Sequence, residues 1–139
     1  MNYQLSIQPE NTLAEIQLQF HALYPHLKLE FFAKTHEAEK GSNFKFLLLD
    51  KAATIRSHAA IDQIVLLDVA PYLTAWQLEQ NFQTALNIGV QVFYKKNDVW
   101  FVTTLSDKLT LKELNEKEAS SQIPTALDLD ALPDYKEID

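Results

Sequence analysis

The feature that most constrains this chain is an approximate repeat of its own first third. Segment 5–34 matches segment 67–96 at an offset of 62 residues, which becomes 63 after a one-residue insertion. The matching positions are Leu5, Ile7, Pro9, Thr12, Ile16 and Phe20 in one copy and Leu67, Val69, Pro71, Thr74, Leu78 and Phe82 in the other. A period of this length indicates a supersecondary unit that is written twice.

Each copy contains a strong signal for the start of a helix. Thr12 precedes Glu15 by three residues, and Thr74 precedes Gln77 in the same way. This is a capping box, in which the threonine hydroxyl and the later side chain each satisfy a backbone amide. Apolar residues then recur at spacings of three and four. The sequence therefore predicts one amphipathic helix in each copy.

Alternating polarity around each helix predicts strands. We expect them near 5–7, 27–32 and 44–49 in the first copy, and near 64–69, 90–95 and 99–104 in the second. A short polar turn at 96–98 joins the last two as a hairpin. Segment 52–62 is predicted as a short helix or an irregular crossover. Thr110 and Glu113 form another capping box and predict a further helix.

These elements predict an α+β fold made of internally duplicated β-α-β-β units, at about 3–50 and 63–105. A right-handed crossover in each unit would make the strand before the helix parallel to the strand after it, and the third strand would return antiparallel. We therefore expect a mixed sheet with helices on one face. Ile64 to Leu67 is apolar throughout. This pattern is typical of a strand covered on both faces and predicts a central position for the second copy's first strand.

The composition excludes several chemistries. The 139 residues include no cysteine and only two glycines, Gly41 and Gly89. Thiol nucleophiles, disulfides and thiolate zinc sites are therefore excluded, and a glycine-rich phosphate loop cannot be formed. His21 and His26 are five residues apart, which does not match the i, i+4 pair of a helical metal site. We expect no metal and no cofactor.

The net charge of −7 is concentrated at the C-terminus. Segment 118–139 contains six acidic residues and one lysine, whereas residues 1–117 contain 13 acidic and 11 basic residues. We expect a single domain at 1–117 and an acidic C-terminal extension at 118–139 that is either flexible or docked. Lysines are scattered, so nucleic acid is not an expected partner. The chain has no signal peptide or apolar run of membrane-spanning length, which predicts a soluble cytoplasmic protein.

Two groups of residues are candidates for a site. Arg56, His58 and Asp62 lie between the copies, where an arginine could hold an acidic ligand and a histidine could carry a proton. Trp76 lies off its helix's apolar stripe, and Phe32 and Phe93 point away from the main apolar face of their strands. Exposed aromatics of this kind could anchor a dimer surface, although packing within the domain is an alternative for Trp76.

The paired units resemble in outline the paired β-α-β-β-β modules of the glyoxalase and bleomycin-resistance group. That group takes metal ligands, often His or Glu, from its strands, whereas the comparable outward positions here are Gln4, Ser6, Gln8, Leu66 and Asp68. A fourth strand per unit is also missing from the pattern. The resemblance therefore implies an arrangement and no metal site.

The sequence does not determine a function, and two hypotheses remain. The first is a non-enzymatic module for protein interaction or self-association, forming a homodimer. The second is a small-molecule-binding protein or metal-independent enzyme with a cavity between the two repeats.

Overall fold

The computed structural model describes residues 2–33, 44–103 and 108–120, with side chains described as far as residue 116. The elements are strand β1 (Gln4–Ile7), helix α1 (Leu13–Leu23), strand β2 (Leu27–Phe32), strand β3 (Val65–Asp68), helix α2 (Ala75–Leu86), strand β4 (Gly89–Lys96), strand β5 (Val99–Val102) and helix α3 (Leu111–Ser120). The α+β class is confirmed. The predicted acidic extension lies outside the described residues from 121 onward.

Side-chain caps determine where the helices begin. Thr12 Oγ1 accepts a hydrogen bond from the Glu15 amide at 3.1 Å, and Glu15 Oε1 accepts one from the Thr12 amide at 2.9 Å. The bond from the Thr12 amide and a second one from Asn11 hold the pKa of Glu15 below its usual value. The same capping box recurs at Thr74 with Gln77 and at Thr110 with Glu113. The three predicted helix starts are confirmed.

Strands from the two halves of the chain pair with each other. β1 pairs antiparallel with β3, with Leu5 opposite Leu67. β2 pairs antiparallel with β4, with Leu29 opposite Val92, and β5 returns along β4. The predicted mixed sheet is therefore wrong, because the strands form two separate antiparallel sheets, β1-β3 and β2-β4-β5. Pairing between the halves lets both helices and both sheets bury one common apolar core.

Two further strand predictions are wrong. β3 is not central, since it has one partner among the described strands, and Ile64 and Leu66 on its outward side are 56% and 63% exposed. Residues 44–49 do not form a strand. They begin with a 3₁₀ turn at Phe44–Phe46 and cross the edge of β2 through an isolated bridge between Leu47 and Phe32.

The hairpin between β4 and β5 is confirmed. Asn97 and Asp98 both have positive φ, 54° and 63°. Two such residues in a two-residue loop match the type I′ turn, whose twist suits the flanking strands.

Side chains from the helices form hydrogen bonds with both outer edges of the two-stranded sheet, one on β1 and one on β3. The Gln19 amide group accepts from the Ser6 amide at 3.0 Å and donates to the Ser6 carbonyl at 2.9 Å. In α2, Asn81 Nδ2 donates to the Asp68 carbonyl at 3.3 Å. These bonds occupy backbone groups that would otherwise be available to a strand of another chain.

The segment between the two halves is held against the start of α1. It contains a 3₁₀ turn at Ile55–Ser57, and Thr54 forms an isolated antiparallel bridge with Thr12. Thr110, at the start of α3, makes the same kind of bridge with Thr74. Each of the two helix starts, in α1 and α2, is therefore held by a later threonine.

Tyr24 links the end of α1 to the strand of the other half. Its hydroxyl donates to the Val69 carbonyl at 2.6 Å, and its ring packs on Phe20 and Tyr3 at centroid distances of 5.3 and 5.9 Å. Burial, reinforced by the nearby Tyr3 and Asp68, raises the pKa of the Tyr24 phenol well above its usual value.

We predict that Tyr24→Phe lowers the free energy of unfolding by about 1–2 kcal/mol at pH 7, because the buried Val69 carbonyl loses its donor. Urea denaturation measures this, with Tyr72→Phe at an exposed position as the matched control. Because the pKa of Tyr24 is higher in the folded chain than in the unfolded one, its contribution is complete below about pH 10 and is lost as the pH rises further. Equal alkaline losses in the parent and Tyr24→Phe would contradict this assignment.

Candidate functional site

An open groove runs between the flank of α1 and the edge of the three-stranded sheet. It encloses about 380 Å³ and is lined by Ala14, Gln17, Leu18, His21, Lys28, Glu30 and Trp100. The first four share one helical flank because their spacings are three, one and three residues. The two β2 residues share one strand face because they are two residues apart. We call this set of residues the Trp100 groove.

Polar side chains of α1 close the free edge of β2 along the floor of the groove. Gln17 Nε2 donates to the Leu29 carbonyl at 2.7 Å. His21 Nδ1 lies 2.9 Å from the Leu27 carbonyl, and because a carbonyl can only accept, Nδ1 must carry the proton. His21 thus has a structural partner, and its Nδ1 is not available as a base in this arrangement.

Trp100 forms the far wall of the groove and lies among cations. Lys28 Nζ is 4.9 Å and Lys95 Nζ 5.8 Å from centroids of the indole, and the His21 ring meets it edge-on at 6.4 Å. Ammonium groups at these distances are attracted to the negative face of the ring. The indole is therefore held in place while remaining partly exposed.

Charged side chains on the rim of the groove form ion pairs. Glu30 forms ion pairs with Lys51 at 2.7 Å and with Lys28 at 3.4 Å. Leu18 stands beside this charged rim with 68% of its surface exposed. An apolar wall with a paired polar rim is typical of a surface that binds another polypeptide. In the described ranges, no three His, Asp or Glu side chains come together as a metal site.

The corresponding flank of α2 borders a closed crevice. Trp76, Glu79, Gln80 and Gln83 lie 62 residues after the four α1 residues of the Trp100 groove and line a crevice with Ile88, Gly89 and Val90. This crevice is too narrow to admit a water molecule. Only the first of these two flanks therefore offers space to a ligand or partner.

A buried polar cluster lies beneath the crevice. Glu79 Oε2 accepts from the Val92 amide at 2.9 Å and from Gln91 Nε2 at 3.1 Å. Gln91 Nε2 also donates to Thr103 Oγ1 at 2.9 Å, and that hydroxyl donates to the Val92 carbonyl at 2.9 Å. The cluster occupies both backbone groups of Val92 at the point where β5 has ended.

The residues predicted between the two copies lie on an open surface. Arg56 and Asp62 line a shallow depression with Ala59, Ala60 and Ile61, whereas His58 is exposed outside it. The Arg56 guanidinium pairs with Glu10 at 3.3 Å, and both side chains are exposed. The structure therefore brings Arg56 and Asp62 together, but in an open surface depression and without His58.

The predicted aromatic surface is arranged differently. Phe32 and Phe93 are 0% and 2% exposed, so they do not form the open anchors that we expected. Trp76 is partly buried in the closed crevice. The Trp100 groove was not predicted. The sequence signal for it is Leu18, an apolar residue that lies off the buried stripe of α1.

Comparisons with known proteins give no family. No family model matches the chain, and neither a curated protein nor a solved structure matches it. The outline resemblance to the glyoxalase group is thus without a supporting match. Among the described residues, no helix is long and apolar enough to cross a membrane.

We predict that Glu79→Ala lowers the free energy of unfolding by about 1–3 kcal/mol, because the buried Val92 amide and Gln91 lose their acceptor. Glu116→Ala, at an exposed position of α3, is the matched control and should change stability by less than about 0.5 kcal/mol. Chemical denaturation measures both. Equal effects of the two substitutions would show that the Glu79 cluster does not stabilise the fold.

Proposed function

We propose that this chain is a non-enzymatic protein-interaction module that binds its partner through the Trp100 groove. The observation that carries the proposal is the exposure of Leu18 beside a fixed, partly exposed indole and a rim of ion-paired side chains. A partner can bury these apolar groups while Glu30 keeps its ion pairs with Lys51 and Lys28. The partner that we expect is a second copy of the chain, giving a homodimer.

We also propose that the domain at 1–117 is an internal duplication of units at about 3–50 and 63–105. Two facts support this. Leu5 pairs with Leu67 and Leu29 pairs with Val92, so two strand pairs join positions related by the sequence offsets of 62 and 63. Gln19 and Asn81, which bond to the outer edges of the two-stranded sheet, are also 62 residues apart. Their backbone partners, Ser6 and Asp68, have the same spacing. In this view the two flanks diverged, and only the first kept an open groove.

We predict that the parent chain shows a concentration-dependent mass approaching twice 15.9 kDa in sedimentation equilibrium. Leu18→Glu should weaken the dimer at least tenfold, because it places a charge in the apolar part of the interface. Leu49→Glu is the matched control, since Leu49 is also exposed and does not line the groove. A parent chain that remains monomeric at all concentrations excludes the second copy as the partner.

Photocrosslinking inside cells tests whether the Trp100 groove contacts another protein. A photoreactive residue replaces Leu18, and the same residue at exposed position 72 is the control. We expect position 18 to give a covalent adduct with a protein, and mass spectrometry then identifies it as a second copy or another chain. Adducts from position 72 alone would contradict the proposed surface.

A second candidate function is binding of a small acidic ligand at Arg56. In its favour, Arg56 and Asp62 line the same surface depression. Against it, an acidic ligand would have to displace Glu10 from its ion pair with Arg56. Because the depression is open, we predict no saturable chemical-shift change at Arg56 when inorganic phosphate is titrated. A saturable change that disappears in Arg56→Ala would favour this second function.

A further inference from the structure

The outer edge of β5 is a free edge of the three-stranded sheet. Among the described strands β5 pairs with β4 alone, with Lys96 opposite Val99 and Lys95 opposite Trp100. Because a two-residue turn joins the strands, Lys96 and Val99 form a hydrogen-bonded pair, and such pairs alternate with non-hydrogen-bonded pairs along an antiparallel ladder. Trp100 and Val102 therefore direct their backbone N–H and C=O groups away from β4.

The Lys95 amide supports this assignment. It donates to the His26 carbonyl at 2.9 Å, on the side of β4 that faces β2. Its backbone thus points away from β5, as expected when its cross-strand partner Trp100 belongs to a non-hydrogen-bonded pair. Within the described ranges, no hydrogen bond reaches the backbone of Trp100 or Val102. Two donors and two acceptors are left for another strand.

Other sheet edges in the described part of the chain are already occupied. Gln19 bonds to Ser6 on β1, and Asn81 bonds to Asp68 on β3. On β2, three outward carbonyl groups accept from two α1 side chains and from the backbone of the crossing segment 44–49. β5 differs from these strands, and its sequence Val-Trp-Phe-Val contains no charge or proline that would discourage pairing with another chain.

A second copy of β5 fits this edge in an antiparallel register centred on Phe101. With Phe101 opposite the second copy's Phe101, Trp100 of each chain is opposite Val102 of the other. Their outward groups then form four backbone hydrogen bonds, and the two Phe101 residues form a non-hydrogen-bonded pair between them. This arrangement has twofold symmetry, so both copies use the same surface.

The side chains suit this register. Each row across the joined sheet reads Lys28, Phe93 and Val102, followed by the second copy's Trp100 and Lys95. Phe93 and Val102 already form an apolar cluster, and the second copy's indole extends it along the row. The two lysines of a row remain at opposite ends, about 19 Å apart at a strand spacing of about 4.8 Å. This exceeds the screening length of about 8–10 Å, so like charges do not oppose the pairing.

The pairing covers groups that are still accessible. Val99, Trp100 and Phe101 are each partly exposed. Val102 is buried in the apolar cluster and contributes its backbone groups to the new ladder. The second copy therefore adds apolar contacts at the two aromatic rings and hydrogen bonds at the strand edge.

We propose that two copies of this chain join through their β5 edges, in the register centred on Phe101, and form one continuous six-stranded sheet. This inference rests on the homodimer of the proposed function and specifies the strand that joins the two copies. Because Trp100 belongs both to β5 and to the Trp100 groove, the second copy lies beside the groove.

Amide hydrogen exchange of the full chain tests the pairing residue by residue. The Phe101 amide points toward Tyr94 within the hairpin and should exchange slowly at every protein concentration. The Trp100 amide points outward and should exchange at least about tenfold more slowly when the concentration is raised from well below to well above the dissociation constant of the dimer. The neighbouring amide is thus an internal control.

A mixed-label NMR sample tests the register. Chains labelled with ¹³C are mixed with unlabelled chains, and a filtered NOE is recorded between the two copies. We expect a cross-peak between the Hα atoms of the two Phe101 residues, because a non-hydrogen-bonded pair brings opposite Cα atoms to about 4.5 Å.

A charge exchange at the symmetry axis tests the interface by mass. Phe101→Lys or Phe101→Glu alone should abolish the dimer in sedimentation equilibrium, because two like charges would face each other. An equimolar mixture of the two variants should restore it. Tyr72→Lys and Tyr72→Glu, at an exposed position outside the strands, are the matched controls and should leave the dimer unchanged. The exchange and NOE measurements on the parent chain decide the proposal if the Phe101 variants do not fold.

A doubled mass with a rapidly exchanging Trp100 amide and no contact between the two Phe101 residues would overturn the edge pairing, as would a parent chain that is monomeric at all concentrations. Leu18→Glu changes the groove without changing β5, so the two surfaces are judged separately. If Leu18→Glu leaves the dimer intact while the Phe101 variants behave as expected, the groove has failed and the edge pairing stands. The opposite result overturns the edge pairing alone.

Discussion

The antiparallel pairing of strands from the two halves is the interaction on which the rest of the structure depends. Within the described residues, β1 has one apolar face and no strand partner from its own half, and the same holds for β3. By pairing with each other, they cover one side of a core to which both helices and the β2-β4 pair contribute. A two-stranded sheet is marginal in water by itself, so this shared core is what stabilises the β1-β3 pair.

Small sheets leave many free edges, and helical side chains satisfy them here. Gln19 and Asn81 bond to the edges of the two-stranded sheet, while Gln17, His21 and Glu79 bond to β2 and β4. This arrangement brings polar residues of each helical flank down to the sheet. The flank of α1 is left open over Lys28 and Trp100, and the flank of α2 is closed around Trp76 and Glu79.

Local patterns predicted those parts of the fold that local chemistry controls. The capping threonines, the apolar spacing of the helices and the Asn97-Asp98 turn each act over a few residues, and the structure follows them. Strand partners were predicted wrongly, because alternation indicates that a strand has an apolar face without indicating which strand pairs with it. For the same reason the burial of Phe32 and Phe93 and the exposure of Leu66 were not predicted.

The sequence by itself determined the three helix starts, the β4-β5 hairpin turn, the α+β class and the exclusion of thiol and glycine-loop chemistry, since each depends on residue type or short-range spacing. Only the tertiary structure decided which strands pair, and hence that Leu18, His21, Lys28 and Trp100 surround one groove while Arg56 lies on an open surface. These residues are up to 82 positions apart along the chain. Their proximity follows from long-range strand pairing, whose register is selected by burial of the common core.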